Sequence, residues 1–389
     1  MPTGRGWAAT GVAAALLLLW VGFGEIELMT TAMFLLAAVT VGTIFVRLNT
    51  PEVLVARRLA PAQIHAGDTV VVELELVPFV GRRLRNVAVV DAVHGLGLAR
   101  FAAGSLAPLQ PVVARYEVEC HRRGAYEVGP AVVTVSDAFG LSERSRRVGT
   151  ADRLVVYPIV EKLMGLPRMH GLEASRHRNR PVFSPTGSHD FYTMREYQVG
   201  DDLRKVHWPS SARRDTLMIR QFEIHPQEKA LVALDPRHGT DPEAFEQAVI
   251  GAASVLTHLF SAGFSTELAF GSTVEGAANG DGYRHAMDLL ARATPTHDPD
   301  PTRSLMRLRR RHGGGILLLV TARLDETALA AYRALAPGFG RRIVLTADDA
   351  DGQLLATLVN LGALPVVAPP GRAWATPWTR AMELSWSTA

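Results

Sequence analysis

Three patterns of hydrophobicity follow one another along the chain, and the first is two stretches without any charge. Trp7–Gly24 and Leu28–Val46 are each uncharged and close to the roughly 20 residues that a membrane-spanning helix needs. Between them lie Glu25 and Glu27, a connection that leaves room only for a tight helical hairpin. Both stretches are apolar on every side, which speaks against a soluble hairpin with one buried stripe. A cleaved signal peptide is the other alternative. It is disfavoured because a second span follows at once and would act as a stop-transfer. Arg5 precedes the first span, and Arg47, Arg57 and Arg58 follow the second. The bias of basic residues to the cytoplasmic side therefore predicts a two-pass protein of the cell membrane. Its N-terminus and its large C-terminal part are expected in the cytoplasm, with residues 1–50 as the anchor.

From 51 to 158 the period becomes two. Val70, Val72, Leu74 and Leu76 alternate with Val71, Glu73 and Glu75, the mark of a half-buried strand. Asn86–Val93, Val112–Cys120, Tyr126–Pro130 and Ala131–Val135 continue it. Turn signals stand at Gly67-Asp68, Gly81, Gly104-Ser105, Arg123-Gly124 and Gly129-Pro130. Short strands with spaced turns predict a β-sandwich. His65, His94 and His121 are scattered through it and form no candidate catalytic cluster.

Residues 159–190 lose the periodicity. Lys162, Arg168, Arg176, Arg178 and Arg180, with His170 and His177, face only Glu161 and Glu173 among several prolines and glycines. The pattern is that of a basic connector, and a solvated linker explains it better than a site for an acidic partner or anionic lipid. Residues 191–225 then form a junction dense in charge.

From 226 to 389 the period changes again. Ala230–Leu234, Ser265–Phe270, Ile316–Val320, Arg342–Thr346 and Leu364–Val367 read as strands. Asp241-Pro242-Glu243 starts a helix that runs to Gly263. Tyr283–Arg292, Arg303–His312, Leu324–Leu335 and Gly352–Leu361 read as helices. Continuous apolar strands alternating with helices predict an α/β module with a doubly wound parallel sheet. In such a sheet the ligand-binding positions are the strand carboxyl ends, here Asp235–Gly239 and Thr321–Asp325. The arrangement resembles a von Willebrand factor type A domain, whose metal site uses Asp-x-Ser-x-Ser. Only Asp235 of that motif is kept. Arg237 and Gly239 stand at the serine positions, and Ala322 and Arg323 stand where an acid is usual. A hard cation wants several oxygen ligands, so the site at Asp235 is degenerate and no bound metal is expected.

Composition adds mainly exclusions. The 389 residues hold 41 basic and 38 acidic side chains, net +3, a balance too even to imply nucleic acid. Cys120 is the one cysteine, which excludes an internal disulfide and any Cys-rich zinc site and suits a reducing compartment. There is no Gly-x-x-x-x-Gly-Lys loop, no Gly-x-Ser-x-Gly and no His-Glu-x-x-His. Gly313-Gly314-Gly315 precedes a strand and is a turn. The arginines of Arg303–His312 complement a helix C-terminus and lack aromatic residues on which bases could stack. No cofactor is expected.

The junction concentrates the remaining chemistry in Arg195-Glu196-Tyr197, Gly200-Asp201-Asp202-Leu203-Arg204, Val206-His207-Trp208 and Ser211-Ala212-Arg213. Asp201 or Asp202 is placed to cap a short helix running to Trp208, which Pro209 would end. Leu217–Ile224 reads as a strand. Asp201, Asp202 and His207 are candidate metal ligands or acid–base groups. Their spacing of five does not align them on one helical turn, and the arginines nearby would hold the carboxylates in ion pairs. A charge network that clasps the flanking modules and offers Tyr197, Trp208 and the arginines for docking fits better.

These motifs resemble the bacterial family called domain of unknown function 58. Arg123–Leu141, Leu154–Pro158 and Gly187–Phe191 extend the likeness. The resemblance implies a membrane protein with a degenerate von Willebrand factor type A-like end, working with a MoxR-type AAA+ ATPase in a chaperone-like assembly, often alongside transglutaminase-like membrane proteins. It brings no catalytic residues with it. The expected function is a non-enzymatic, membrane-anchored adaptor. The alternative is a metal-dependent hydrolase using Asp201, Asp202 and His207, or Asp235.

Overall fold

The computed structural model describes the chain except residues 62, 79–82, 168–190, 198–205, 215, 223–227, 238–240, 297–314 and 388–389. For 191–195, 214, 219–222 and 385–387 it describes the backbone alone. The described residues form two compact units: Met1–Glu161 with Arg284–Thr294, and Lys162–Tyr283 with Pro295–Ala389.

The first unit opens with two helices, α1 (Gly4–Phe23) and α2 (Ile26–Leu48), both long and apolar enough to cross a membrane. Thr3 caps α1 by accepting Gly6 N–H, and Gly24, at φ +71°, ends it.

Two sheets then form from the described residues: β1 (Val53–Ala60), β2 (Ile64–His65), β3 (Thr69–Pro78), β4 (Leu84–Val93), β5 (Gly97–Leu106), β6 (Val112–Glu119), β7 (Gly124–Val128), β8 (Ala131–Ser136), β9 (Glu143–Val148) and β10 (Asp152–Tyr157). One sheet has the order β1-β3-β6. The other runs β2-β10-β7-β4-β8-β9, with β5 paired to β4. Alternation decides what each strand buries. Val70, Val72, Leu74 and Leu76 of β3 are all fully buried, and Leu74 and Leu76 pack with Val87 and Val89 of β4 and Val133 and Val135 of β8. The core therefore lies between the two sheets. Gly104-Ser105, expected as a turn, sits inside β5 instead. There Gly104 takes φ +64° beside a register shift against β4, so it marks a bulge.

An ion pair joins the sheets. Arg57 on β1 donates Nε to Asp91 Oδ2 at 3.0 Å and a terminal nitrogen to Asp91 Oδ1 at 2.7 Å. A second terminal nitrogen reaches Asp152 Oδ2 on β10 at 2.5 Å. Tyr116 on β6 donates its hydroxyl to Asp91 Oδ2 at 2.7 Å. Asp91 is fully buried and the Arg57 side chain is 2% exposed. Burial disfavours the Arg57 charge, but bonds to Asp91 and Asp152 outweigh it and hold the guanidinium above its ordinary pKa. Burial and the Asp91 carboxylate likewise raise the Tyr116 hydroxyl. Gly129, at φ +84°, leaves the space: a Cβ there would collide with the Arg57 guanidinium. Arg57, which the sequence groups with the surface cations flanking the second span, is thus an interior residue. The reason is that β1 carries it on the buried side with Val53.

The second unit contains β11 (Phe191–Glu196), α3 (Trp208–Arg214), β12 (Met218–Phe222), β13 (Lys229–Leu234), α4 (Pro242–Ser261), β14 (Ser265–Phe270), β15 (Thr273–Ala277), the first turn of α5 (Gly280–Arg292), β16 (Ile316–Thr321), α6 (Glu326–Leu335), β17 (Arg341–Thr346), α7 (Gly352–Asn360), β18 (Leu364–Val367) and α8 (Ala375–Ser387). Its larger sheet has the order β15-β14-β13-β16-β17-β18. The strands are parallel except for the β14–β15 hairpin. Every residue of β16 is buried, as a strand covered on both faces requires. Chain order reverses between β13 and β16, the switch point at which α/β sheets open a crevice.

Two features of this unit depart from the sequence pattern. The pattern predicts no element after Val367, yet α8 forms there and is fastened by Trp374 and Trp378, both fully buried. Trp374 donates Nε1 to Gln247 O at 2.9 Å and lies over Gly251, where a Cβ would meet the ring at 2.8 Å. The start of the basic connector, up to Pro167, is not a solvated linker. Leu163 is 3% exposed, and Gly165 O accepts His258 Nε2 at 2.7 Å and Trp378 Nε1 at 3.3 Å. The remainder of the connector, 168–190, and the expected helix Arg303–His312 lie outside the described residues.

Removing Arg57 strands a buried carboxylate, which costs about 3–5 kcal/mol. Cys120 is fully buried in the same unit, so its reaction with a thiol reagent reports opening of that unit. Arg57→Met is expected to accelerate Cys120 labelling by at least about 100-fold, and adding Asp91→Asn should recover part of the loss. Unchanged labelling would show that Asp91 reaches water in solution.

Candidate functional site

The strand-end crevice of the second unit is built from residues that close β13, β16 and β17. Asp235 follows β13, and its backbone N–H continues the ladder to Val320 O at 2.8 Å. Two residues on, Arg237 turns its guanidinium back across the crevice. Nε donates to Asp235 Oδ2 at 2.7 Å, and one terminal nitrogen meets both oxygens of Asp325, at 2.7 and 2.9 Å. The other terminal nitrogen reaches Arg323 O at 3.1 Å. Thr321, the last residue of β16, donates its hydroxyl to Asp235 Oδ2 at 2.9 Å. Asp325 is also the N-cap of α6, accepting Ala328 N–H at 2.8 Å. Beside it, Asp348 after β17 accepts Leu324 N–H, at 3.2 and 3.1 Å, and the Thr346 hydroxyl.

Electrostatics follow from this geometry. Burial works against the Arg237 charge, but Asp235 and Asp325 raise its pKa above the ordinary value. Burial pushes the Asp325 carboxyl up, while the Ala328 amide, Arg237 and the Thr327 amide pull it down, and the net shift is downward. Could these strand ends hold a divalent cation? Their acids are already engaged: Asp235 and Asp325 by a guanidinium, Asp348 by a hydroxyl and an amide. A metal would have to displace an internal cation carrying several hydrogen bonds, so the residues present do not fit one. Among the described residues no group of three or more His, Cys, Asp or Glu is placed to bind a metal. Gly239, one of the two substituted serine positions, lies outside the described residues.

The sequence motif at the junction is only partly in view. Gly200, Asp201, Asp202 and Arg204 lie outside the described residues, as does the side chain of Arg195, so the expected clasp between modules does too. Tyr197 donates its amide to Leu217 O at 2.7 Å, where β11 pairs antiparallel with β12. His207 donates its amide to Met218 O at 2.8 Å and pairs Nδ1 with Ser210 Oγ at 2.7 Å. Ser211 is buried; its hydroxyl donates to His207 O at 3.0 Å and accepts Met218 N–H at 2.8 Å. Ser211 is therefore a structural tie between α3 and β12. Ala212 and Arg213 are exposed on α3. Trp208, at the start of that helix, is 67% exposed.

The helix position corrects the sequence reading. Pro209 does not end a helix at Trp208; α3 begins at Trp208 and runs past it. Proline is tolerated in the first turn, where its missing N–H would have no partner anyway. The strand-end ion pairs escape the sequence reading for a different reason. Asp325 lies within the strand-end stretch Thr321–Asp325, but nothing local pairs it with Arg237, 88 residues away; the N-cap geometry of α6 holds it there. The readable signal is an arginine two residues after a strand-end aspartate.

Fold and site together define a protein with a hairpin of two long apolar helices and a sheet-rich body. That body ends in an α/β unit whose strand-end crevice is filled by an arginine. Residues 193–354 match the family described as Protein of unknown function DUF58. The stretches Arg123–Leu141 and Leu154–Pro158 fall outside the matched residues. Among relatives, the Uncharacterized protein YeaD of Bacillus subtilis (strain 168) is 27% identical over 318 residues, covering 77% of this chain and 77% of that protein. Among solved structures, a CARDB domain from Pyrococcus furiosus shares 16% identity over 28% of this chain and 89% of its own, with a TM-score of 0.22. A cohesin module of a Clostridium perfringens family 33 glycoside hydrolase shares 8% identity over 28% of this chain and 100% of its own, with a TM-score of 0.20. Scores this low carry no fold assignment.

The lowered Asp325 pKa has a signed consequence. A carboxylate whose folded pKa lies below its unfolded value of about 3.9 adds stability above that pH and loses it as pH falls through the folded value. Arg237→Gln removes one cause of the depression. The stability gap between wild type and variant, read from urea midpoints, is expected to be constant above about pH 5 and to narrow below about pH 4. A gap that stays constant down to about pH 2.5 would contradict the assignment.

Proposed function

We propose that the protein is a membrane-anchored, non-enzymatic adaptor that docks a MoxR-type AAA+ ATPase, with transglutaminase-like membrane proteins as further members of the assembly. In this reading α1 and α2 span the cell membrane, and their N- and C-terminal flanks, with the folded units, face the cytoplasm. The observation that carries it is Arg237. The crevice where an α/β sheet would hold its ligand is occupied by the chain's own guanidinium, which bonds Asp235 and Asp325. The strand order, with a parallel centre and one antiparallel edge strand, supports a von Willebrand factor type A-like reading of residues 226–389.

Docking is assigned to the surface around α3. A tryptophan left 67% exposed by a helix of seven residues is a candidate anchor, because large aromatic residues dominate interface energies. Arg213 of the same helix is exposed as well. The hydrolase alternative is weakened from both sides: Asp235 is held by Arg237, and His207 is engaged by Ser210.

The test is capture of a purified MoxR-type ATPase by the full chain in detergent micelles. Wild type is expected to retain it. Trp208→Ala should weaken capture by roughly 30-fold, the effect of losing a hot spot of about 2 kcal/mol. Failure of the wild type to bind overturns the adaptor reading. Stoichiometric zinc, manganese or magnesium in the purified chain would restore the hydrolase.

A further inference from the structure

The arginines that come after the anchor are arranged around one end of the helical hairpin. The turn between β8 and β9, Asp137–Ser142, is seated against both helices. Thr3 donates its amide to Leu141 O at 2.8 Å and its hydroxyl to Gly140 O at 2.7 Å. On α2, Thr43 Oγ pairs with Ser142 Oγ at 2.8 Å. Gly42 is pressed against Asp137, whose carboxylate leaves no room for a Cβ at that position. The turn holds its own shape, because Asp137 accepts the amides of Phe139, Leu141 and Ser142. The strand leaving this turn is therefore held at the level where α1 begins and α2 ends.

That strand is β9, the last of its sheet. Arg144, Arg146 and Arg147 are all exposed on it, as are Arg5 in the first turn of α1 and Arg47 in the last turn of α2. Arg144 donates to Arg47 O at 3.3 Å and to Thr50 Oγ at 3.2 Å, which places this arginine against the helix end. Against these five arginines stand the exposed Glu52 and Glu143 and the buried carboxylate of Asp137. Glu52 approaches Arg146 at only 3.8 Å with both side chains about half exposed, a contact of little worth. Two large aromatic side chains are exposed at the same end, Trp7 at 65% and Phe139 at 73%. Exposed charge on an edge strand also prevents pairing with other chains. That role asks for no particular sign of charge, no proximity to an apolar helix and no aromatic residues.

We propose that the β9 edge is a binding surface for the anionic phospholipid headgroups of the leaflet in which the hairpin is seated. The proposal rests on the membrane-spanning reading of α1 and α2. Arginine matches lipid phosphate in charge and in fork geometry. Aromatic rings such as Trp7 settle at headgroup level, which puts the Arg5 and Arg47 ends of the helices, and β9 with them, within a Debye length of the lipid charge. The surface is distinct from the basic connector, whose arginines fall outside the described residues.

The full chain reconstituted into nanodiscs of phosphatidylcholine with about one tenth phosphatidylglycerol tests it, by quantifying the lipid retained after extraction into mild detergent. One arginine near a charged membrane surface contributes about 1 kcal/mol, close to fivefold. Wild type is thus expected to retain phosphatidylglycerol enriched at least about fivefold. Replacing Arg144, Arg146 and Arg147 by glutamine should abolish the enrichment, and replacing them by lysine should keep most of it. Thermal unfolding of each variant establishes that it is folded. No enrichment with wild type, or enrichment that survives the glutamine variant, overturns the proposal. Release of the whole chain from membranes by alkaline carbonate would instead overturn the spanning reading beneath it. Capture of an acidic protein by the β9 arginines, without lipid selectivity, would reassign the surface to a protein partner.

Discussion

A buried carboxylate must be met by a cation or by several hydrogen-bond donors, and a cation meets this requirement in both units. Asp91 has no access to water, and an isolated charge in that position would cost several kcal/mol. Arg57 answers it with a bidentate pair and extends to Asp152, while Tyr116 supplies a further bond. These residues come from β1 and β6 of one sheet and β4 and β10 of the other. The pair therefore fixes which faces meet and in what register, something hydrophobic contact alone does loosely. Arg237 plays a comparable part at the ends of β13 and β16, where it ties Asp235 to Asp325. In the first unit the consequence is architectural. In the second it is chemical, because the guanidinium occupies the position from which an α/β sheet would otherwise work on a ligand.

Close backbone approach is the second constraint. Gly129 makes room for the Arg57 guanidinium, Gly42 for Asp137, and Gly251 for the Trp374 ring. Each is a place where a single methyl group would force neighbours apart. At Gly42 the approach seats the β8–β9 turn on the helical hairpin. That seat brings an arginine-bearing edge strand to the end of two apolar helices and turns scattered basic residues into a surface.

Much of the fold is legible in the pattern of apolar positions. The two helices, the period-two strands and the apolar strands of the sheet are short-range features, each repeated over many residues. The buried ion pair is legible in principle. Arg57 shares its side of β1 with Val53, Asp91 its side of β4 with Val87 and Val89, and Tyr116 falls in step with Val112 and Val118 on β6. Three polar residues on inward faces are a signal that they meet, but nothing local says with whom. Pro209 misleads because a proline after a tryptophan reads equally as the end of one helix or the first turn of the next. Helix α8 buries Trp378, Ala381 and Met382 at helical spacing, a signal the sequence reading missed, and it follows Trp374, which packs on α4.

The junction from Arg195 to Arg213 stands out in the sequence as the densest cluster of chemistry, and the family match over residues 193–354 agrees that it is distinctive. Its described residues separate into distinct roles: Ser211 ties helix to strand, His207 is engaged by Ser210, and Trp208 is left outside. By itself the sequence determined the two long apolar helices, the succession of strands and helices, and the motifs that match a family model over residues 193–354, since these depend on periodicity and on contiguous residues. The tertiary structure alone decided which charges neutralise each other. Arg57 finds a partner 34 residues away and Arg237 one 88 residues away, and only the folded sheets bring such positions within hydrogen-bond distance.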